Sequence, residues 1–268
     1  MLYTVDRMDD GHGSGPAGAS IEIRGLVKTY ERVAKRRVVR THAIEGVDIS
    51  IRPQEFVSLV GPSGCGKTTV LNIIAGLLPA TAGEVLINGK PVNRPGPDRG
   101  VVFQQASLMP WLTVEDNLLL ALRFAKVPRA ARRERVERYV EMVNLQDFLN
   151  HYPGELSGGM QQRAGIARAL ALEPQVLLMD EPFGALDAIT RQHLQLELLA
   201  IWEKDRRSVL FVTHALEEAL LLSDRIIVME KGRVASDITV PMPRPRTRVG
   251  LIEDPEARAL HVALESML

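Results

Sequence analysis

The chain has a single cysteine, Cys65, so it can form no internal disulfide, a usage that fits a reducing compartment. It also lacks any apolar stretch near the ~18–20 residues that a membrane-spanning helix needs. The closest run, Leu118-Leu-Leu-Ala-Leu122, is interrupted by Arg123 and reads as a buried helix face. Net charge is absent as well: Lys+Arg and Asp+Glu both number 33. No global field therefore draws the chain to nucleic acid or acidic lipid. Residues 1–20 are rich in Gly, Asp and Ser and have no apolar core of a signal peptide, so they read as a disordered leader.

What remains is ordinary for a soluble protein, with a hydrophobic share of 46% and a mean hydropathy of -0.01. The 268 residues suit one large α/β domain, or one with a subdomain inserted. A chain of this size buries roughly 70–75% of its unfolded surface, enough for an ample core.

One stretch carries explicit chemistry. Gly61, Pro62, Ser63, Gly64, Cys65, Gly66, Lys67, Thr68 and Thr69 fit the phosphate-binding pattern G-x-x-x-x-G-K-[ST]. The apolar run Phe56–Val60 precedes it, and a helical pattern at Val70, Leu71, Ile73 and Ile74 follows, which is the strand–loop–helix context the motif requires. Glycines let backbone N–H groups turn inward on phosphate oxygens, and the following helix adds its positive dipole end. Lys67 is expected to reach the β- and γ-phosphates and Thr68 to ligate Mg²⁺. Cys65 serves there as a small residue: no histidine lies close in sequence to activate it.

Four short apolar runs end in polar residues. Phe56–Val60 leads into the phosphate loop, 101–103 ends at Gln104, 176–179 at Asp180 and Glu181, and 209–213 at His214. Such runs with helices between them read as parallel strands buried on both faces. Open α/β sheets bind ligands beyond the carboxyl ends of their strands, so all four polar ends are expected on one rim. Asp180 is expected to hold Mg²⁺ directly or through water. Glu181 is placed to deprotonate an attacking water. His214 is either a capped core histidine or, given its strand-end position, a partner of the γ-phosphate and of Glu181. Gln104 can contact Mg²⁺ or the lytic water while tethering the segment after it.

That segment, about 105–160, reads as a helical insertion. Thr113-Val-Glu-Asp116 is a capping box, and Val136, Val140 and Val143 stripe a charged helix. Trp111 and Met109 near its start form either a docking patch or internal packing. Ser157-Gly158-Gly159 opens a further helix, either an ordinary capped start or an exposed site for an anion. The basic run Arg32, Lys35, Arg36, Arg37 and Arg40 reads as a solvated loop between two strands, or as a contact with headgroups or a partner.

Taken in order, Gly61–Thr69, Gln104, Leu156–Arg163, Val176–Pro182, Ala185-Leu-Asp187 and His214 resemble the nucleotide-binding subunit of ATP-binding-cassette (ABC) transporters, over about residues 21–245. The resemblance implies a P-loop NTPase core, a mostly parallel sheet with flanking helices, carrying an inserted helical subdomain and a small antiparallel β subdomain. It implies an ATPase domain over 21–240 and a short tail with a helix over 241–268, Asp254-Pro255 capping it, with no room for a regulatory domain. It also implies two ATPs sandwiched in a head-to-tail dimer. There Ser157, Gly158, Gly159 and Gln162 clamp the ATP held by the partner's phosphate loop, and Asp187 communicates between the sites. Tyr30 matches the aromatic that stacks on adenine; strand packing is its alternative.

Leu108–Val114 and Pro243-Arg-Pro-Arg246 are similar to the nitrate/sulfonate/taurine importer group; a rigid linker is the other reading of the second motif. That group implies two membrane permease subunits, a periplasmic solute-binding protein, and a place on the cytoplasmic face of the bacterial inner membrane. A cassette ATPase acting on DNA or ribosomes would carry tandem cassettes or a long coiled coil. A small-metabolite kinase would leave the Leu156–Arg163 segment and His214 unexplained.

Overall fold

The computed structural model describes residues 18–34 and 37–268, without the side chains of 32–38. The expected leader up to residue 17, and Lys35 and Arg36 of the basic run, lie outside the described residues. In chain order, β1 (Ile21–Ala34) and β2 (Arg37–Ile51) are followed by β3 (Phe56–Val60), α1 (Lys67–Ile74), β4 (Ala82–Ile87), β5 (Lys90–Pro91) and β6 (Arg99–Val102). Three helices come next: α2 (Val114–Phe124), α3 (Arg129–Met142) and α4 (Gly158–Ala171). Then β7 (Val176–Asp180), α5 (Ala188–Lys204), β8 (Ser208–Val212), α6 (Leu216–Leu222), β9 (Arg225–Glu230) and β10 (Arg233–Thr239) lead to α7 (Arg248–Glu253) and α8 (Pro255–Glu265).

The larger sheet has the order β10-β9-β3-β8-β7-β6, parallel throughout except for β10 at its edge. The four apolar runs are thus adjacent strands, and β3 and β8 are buried at every position. Helices cover both faces, which is why these strands read as continuous apolar runs rather than alternating ones. The smaller sheet, β2-β1-β4-β5, is antiparallel and shares an apolar cluster with α1 and the near face of the large sheet. The expected α/β class, with its helical insertion and antiparallel subdomain, holds.

On the other face, Phe56 meets Trp202 edge-on at 5.6 Å, and α4 continues the same apolar cluster into the insertion. Val136, Val140 and Val143 are buried there as the stripe predicted. Each fully buried side chain of this size contributes about 1.5–3 kcal/mol. Thr113 caps α2 by accepting from Asp116 N at 3.2 Å, and its hydroxyl donates to the Asp116 carboxylate.

Several expectations need correction. Residues 31–34 and 37–42 are strand, not loop: β1 and β2 stay paired from Glu31↔Arg40 to Ala34↔Arg37. The basic residues hid that pairing by removing any apolar alternation. Its described ion pair, Arg40 to Glu31 at 2.9 Å, is exposed and cross-strand. Ala19 and Ser20, assigned to the leader, are packed: Ser208 Oγ donates to the Ala19 carbonyl at 2.6 Å, and Ser20 N donates to Asn88 at 3.0 Å.

The tail holds two helices, not one. Thr247 caps α7, and Asp254 caps α8 as expected, accepting from Glu256 N at 2.8 Å. Pro243–Arg246 is no mere linker. Arg244 lies over the Trp202 ring at 4.5 Å and donates to Asp224 at 2.9 Å. Arg246 is buried and donates to the carbonyls of Met242, Leu220 and Ser223, closing the end of α6. Burial, with Arg244 beside it, pushes its guanidinium down to about 10.

Candidate active site

The phosphate loop leaves β3 at Gly61, where φ is 156°, and turns through Gly64 (φ 81°) and Gly66 (φ 107°) into α1. Glycine is required at 66 on two counts. The φ lies in the left-handed region, and a Cβ would sit 2.5 Å from the Ala43 carbonyl of β2. The loop is therefore pressed against the antiparallel sheet. Lys67 is buried, and its ammonium donates to the carbonyls of Gly61 at 2.7 Å and Pro62 at 3.0 Å, so the loop curls around it. Pro62, Ser63, Gly64 and Thr68 are exposed on the rim, while Cys65 packs inward.

Across the rim, β7 delivers Asp180. Its Oδ1 accepts from Thr68 Oγ1 at 3.0 Å. Burial raises the Asp180 pKa, and the neighbouring Glu181 charge adds to it; the Thr68 hydrogen bond and Lys67 oppose. Two hard oxygen donors at this separation suit Mg²⁺, which takes few protein ligands alongside phosphate oxygens. Glu181 follows with φ 44°, a left-handed conformation that costs about 1–2 kcal/mol in a residue with a Cβ. That turn separates the two carboxylates. Glu181 N is held by the Val212 carbonyl at 2.9 Å, and its own carbonyl accepts from Gly184 N at 3.0 Å. The Glu181 Oε2 then lies 3.2 Å from Nδ1 of His214, whose ring is 63% exposed. The capped-core alternative for His214 is thereby removed.

Gln104 is exposed at the end of β6, and a Cβ at Gly184 would meet its amide nitrogen at 3.3 Å and Glu181 Oε2 at 3.7 Å. It thus borders the Glu181 carboxylate. The segment after it is fastened to α4: Arg168 donates to the carbonyls of Ala106 and Ser107 at 2.9 and 2.8 Å. Gln162 belongs to this tether and not to a nucleotide surface. It is 3% exposed and donates to the Phe103 carbonyl at 3.1 Å, which corrects its expected role. Tyr30 is 43% exposed, with Lys28 over its ring at 5.3 Å. It pairs with Thr41, two residues from the Ala43 carbonyl that lies against the phosphate loop.

Ser157 caps α4 by accepting from Met160 N at 3.3 Å; it and Gly158 are exposed. A Cβ at Gly158 would meet nothing within 4 Å, whereas one at Gly159 would strike Thr190 of α5 at 2.5 Å. Among the described residues, no hydrogen bond joins 157–163 to 61–69. Asp187, also exposed, caps α5 by accepting from the N–H groups of Ile189 and Thr190. Its pKa is lowered, first by the Thr190 side chain and then by these N–H groups.

Sequence reasoning missed the support behind this rim. Glu218 of α6 is a buried carboxylate bonded to Thr213 and to Gln195 of α5. Its only signal was an acid inside the apolar run 216–222. Asn117 was missed too: its side chain accepts from Met109 N and donates to the carbonyls of Met109, Leu112 and Thr113.

The described helices include none long and apolar enough to cross a membrane. Residues 44–184 match the family model of the ABC transporter. A nitrate import ATP-binding protein of Synechococcus elongatus is 47% identical over 80% of this chain and 80% of its own length. A taurine import ATP-binding protein of Rhizobium johnstonii is 50% identical over 73% of this chain and 75% of its own. The dimeric post-hydrolysis structure of the ATP-binding cassette MJ0796, bound to ADP and Pi, aligns with a TM-score of 0.73 at 36% identity, covering 83% of this chain and all of that one. A phosphate loop and strand ends in this order, with the family match, settle the identity: the chain belongs to the ABC transporter family as an ATP-binding subunit, an ATPase.

Proposed function

We propose that the chain is the energy-coupling subunit of a bacterial importer for nitrate, a sulfonate, taurine or a related small solute. It works as a head-to-tail dimer with two ATPs sandwiched between the copies. One observation carries the reading. The exposed start of α4 at Ser157 and Gly158 has no bond to its own phosphate loop, so a second copy is the natural recipient. The import functions in the relatives' names and the dimeric state of the cassette neighbour support it.

In this reading Tyr30 stacks on adenine, and the loop N–H groups with Lys67 bind the β- and γ-phosphates. Thr68 and Asp180, with Gln104, hold Mg²⁺, which when bound neutralises charge on the phosphate oxygens. Glu181 takes a proton from the attacking water as its oxygen bonds the γ-phosphorus. The bond to the bridging oxygen breaks, and ADP leaves with that electron pair. His214 holds the Glu181 carboxylate and donates to the γ-phosphate. Ser157, Gly158 and Gly159 clamp the partner's ATP, and Asp187 faces the second site. The further partners are two membrane permease subunits and, through them, a periplasmic solute-binding protein. The subunit is peripheral to the cytoplasmic face of the inner membrane and takes no nucleic acid.

Glu181→Gln tests the reading, because an amide keeps the shape but cannot accept the proton. Hydrolysis is expected to fall at least about a hundredfold, with ATP affinity kept and an ATP-dependent dimer trapped on size exclusion. Hydrolysis at the wild-type rate, or a variant that stays monomeric with ATP, defeats it.

A further inference from the structure

Behind the rim, one carboxylate is buried where packing alone would favour a hydrocarbon. Glu218 is 5% exposed, yet both its oxygens are engaged. Oε2 accepts from Thr213 Oγ1 at 2.7 Å, and Oε1 accepts from Gln195 Nε2 at 3.0 Å. The Thr213 hydroxyl in turn accepts from Ala215 N at 3.0 Å. A single hydroxyl therefore ties the residues on either side of His214, and Glu218 fixes which way its proton points. Glu181, His214, Arg191 and Glu218 line one small chamber of about 20 Å³.

We propose that Glu218 is a positioning residue for His214, setting the turn that aims the imidazole at Glu181 and linking it through Gln195 to α5. The inference rests on His214 and Glu181 acting in hydrolysis as read above. Its physical basis is the cost of the arrangement. A buried carboxylate is expensive unless fully bonded, and apolar replacements of buried ion or hydrogen-bond partners are often more stable. What the carboxylate supplies that leucine could not is direction. It orients a hydroxyl one residue from a histidine that stands 63% exposed, with little other packing to hold its ring. The link to α5 has a second consequence. Asp187 caps that helix, and Gln195 lies about two turns further along it. A shift of α5, whose first residues face the expected partner copy, reaches the His214 turn through one amide and one carboxylate.

Two variants, each with a conservative control, test this by steady-state ATPase rate, nucleotide affinity and melting temperature. Thr213→Val removes the hydroxyl and Thr213→Ser restores it. Glu218→Leu removes the carboxylate. Glu218→Gln retains a bonded partner, because Gln195 can flip its amide, whose Oε1 is now unpartnered. Thr213→Val and Glu218→Leu are expected to lower kcat about tenfold or more, with KM and ATP affinity within about twofold. Thr213→Ser and Glu218→Gln return to within about threefold of wild type. Combining the Val and Leu changes is expected to cost no more than either alone, as for residues acting in one chain.

Wild-type kcat in Thr213→Val, or a Ser variant as slow as the Val variant, overturns the proposal. So does a loss of ATP affinity that matches the loss of kcat, the mark of a purely structural role. Should Glu218→Leu not fold, Gln195→Met, which removes only the α5 donor, takes its place; unchanged kcat there overturns the link to α5. His214→Ala separates the two levels. If it hydrolyses at the wild-type rate, the underlying reading fails. If it is slow while the Thr213 and Glu218 variants are not, only the positioning role fails.

Discussion

Thr68 Oγ1 donates to Asp180 Oδ1 at 3.0 Å, joining the first turn of α1 to the end of β7 across 112 residues of chain. The two oxygens are brought together by sheet order. β3, which carries the phosphate loop, and β7, which carries Asp180, flank β8, so both end on the same rim. Burial raises the Asp180 pKa, an arrangement that a divalent cation would reverse.

Thr68→Ala is therefore expected to act through the metal. Loss of one oxygen ligand should raise the Mg²⁺ concentration for half-maximal hydrolysis about tenfold or more. Nucleotide affinity measured in chelator should stay within about twofold. A titration in which the Mg²⁺ requirement is unchanged would exclude Thr68 from the metal site.

Ser157 tests the sandwich. Ser157→Arg places a bulky cation on an exposed helix start that makes no bond to its own phosphate loop. Each monomer is expected to bind ATP as wild type does but to fail to close on its partner. Lys67→Ala is expected instead to weaken nucleotide binding itself, since the ammonium sits at the centre of the loop. Mixing the two variants can restore at most one composite site per dimer. Strongly impaired ATP binding by Ser157→Arg monomers would mean that the segment serves its own site.

That these polar residues share one rim was legible in the sequence because the signals are local. Glycine spacing marked the phosphate loop, and apolar runs ending in Asp180-Glu181 and His214 marked strand ends. The sheet then placed those ends side by side. The Glu218–Gln195 bond was not legible, because it joins residues 23 apart on two helices whose periodicity says nothing about which polar groups meet. Gln162 was misread for a related reason: the motif fixes where α4 starts but not which way each side chain turns, and position 162 turns inward to Phe103. The β1–β2 pairing escaped because the basic residues there carry no apolar alternation, and α7 because six residues with a central glycine give too short a period to detect.

Glu218 predicts a particular pH dependence of stability. Burial raises its pKa above the ordinary 4.5, opposed by the Thr213 bond, Arg191, the Gln195 bond and His214. Between the ordinary and the raised value the folded chain keeps the proton while the unfolded chain has released it. The group's contribution to stability therefore falls as pH rises through that window. Glu218→Gln cannot titrate. The stability of wild type relative to this variant is expected to decline from about pH 4.5 upward, in denaturant melts at matched salt. A relative stability that climbs over that range would mean that the carboxyl is depressed instead.

The last prediction concerns the membrane partner. Asn117, 1% exposed, fixes the turn at 109–113 with four hydrogen bonds, and that turn holds Trp111 70% exposed beside half-buried Met109. An indole held rigidly in water has little to stabilise it in the free subunit, which argues for a partner that covers it. Residues 104–108 and the start of α4 line an adjoining cleft of about 460 Å³. If a permease segment docks there, Trp111→Asp is expected to abolish co-purification with the membrane subunits and transport. The isolated subunit should keep its ATPase rate and a melting temperature within about 2 °C, as surface substitutions usually do. Met109→Asp is expected to share the assembly defect with a somewhat larger loss of stability, since Met109 is half-buried. A Trp111→Asp subunit that melts several degrees lower and loses hydrolysis on its own would assign the indole to internal packing and sink the dock. Intact assembly and transport in the same variant would do so as well.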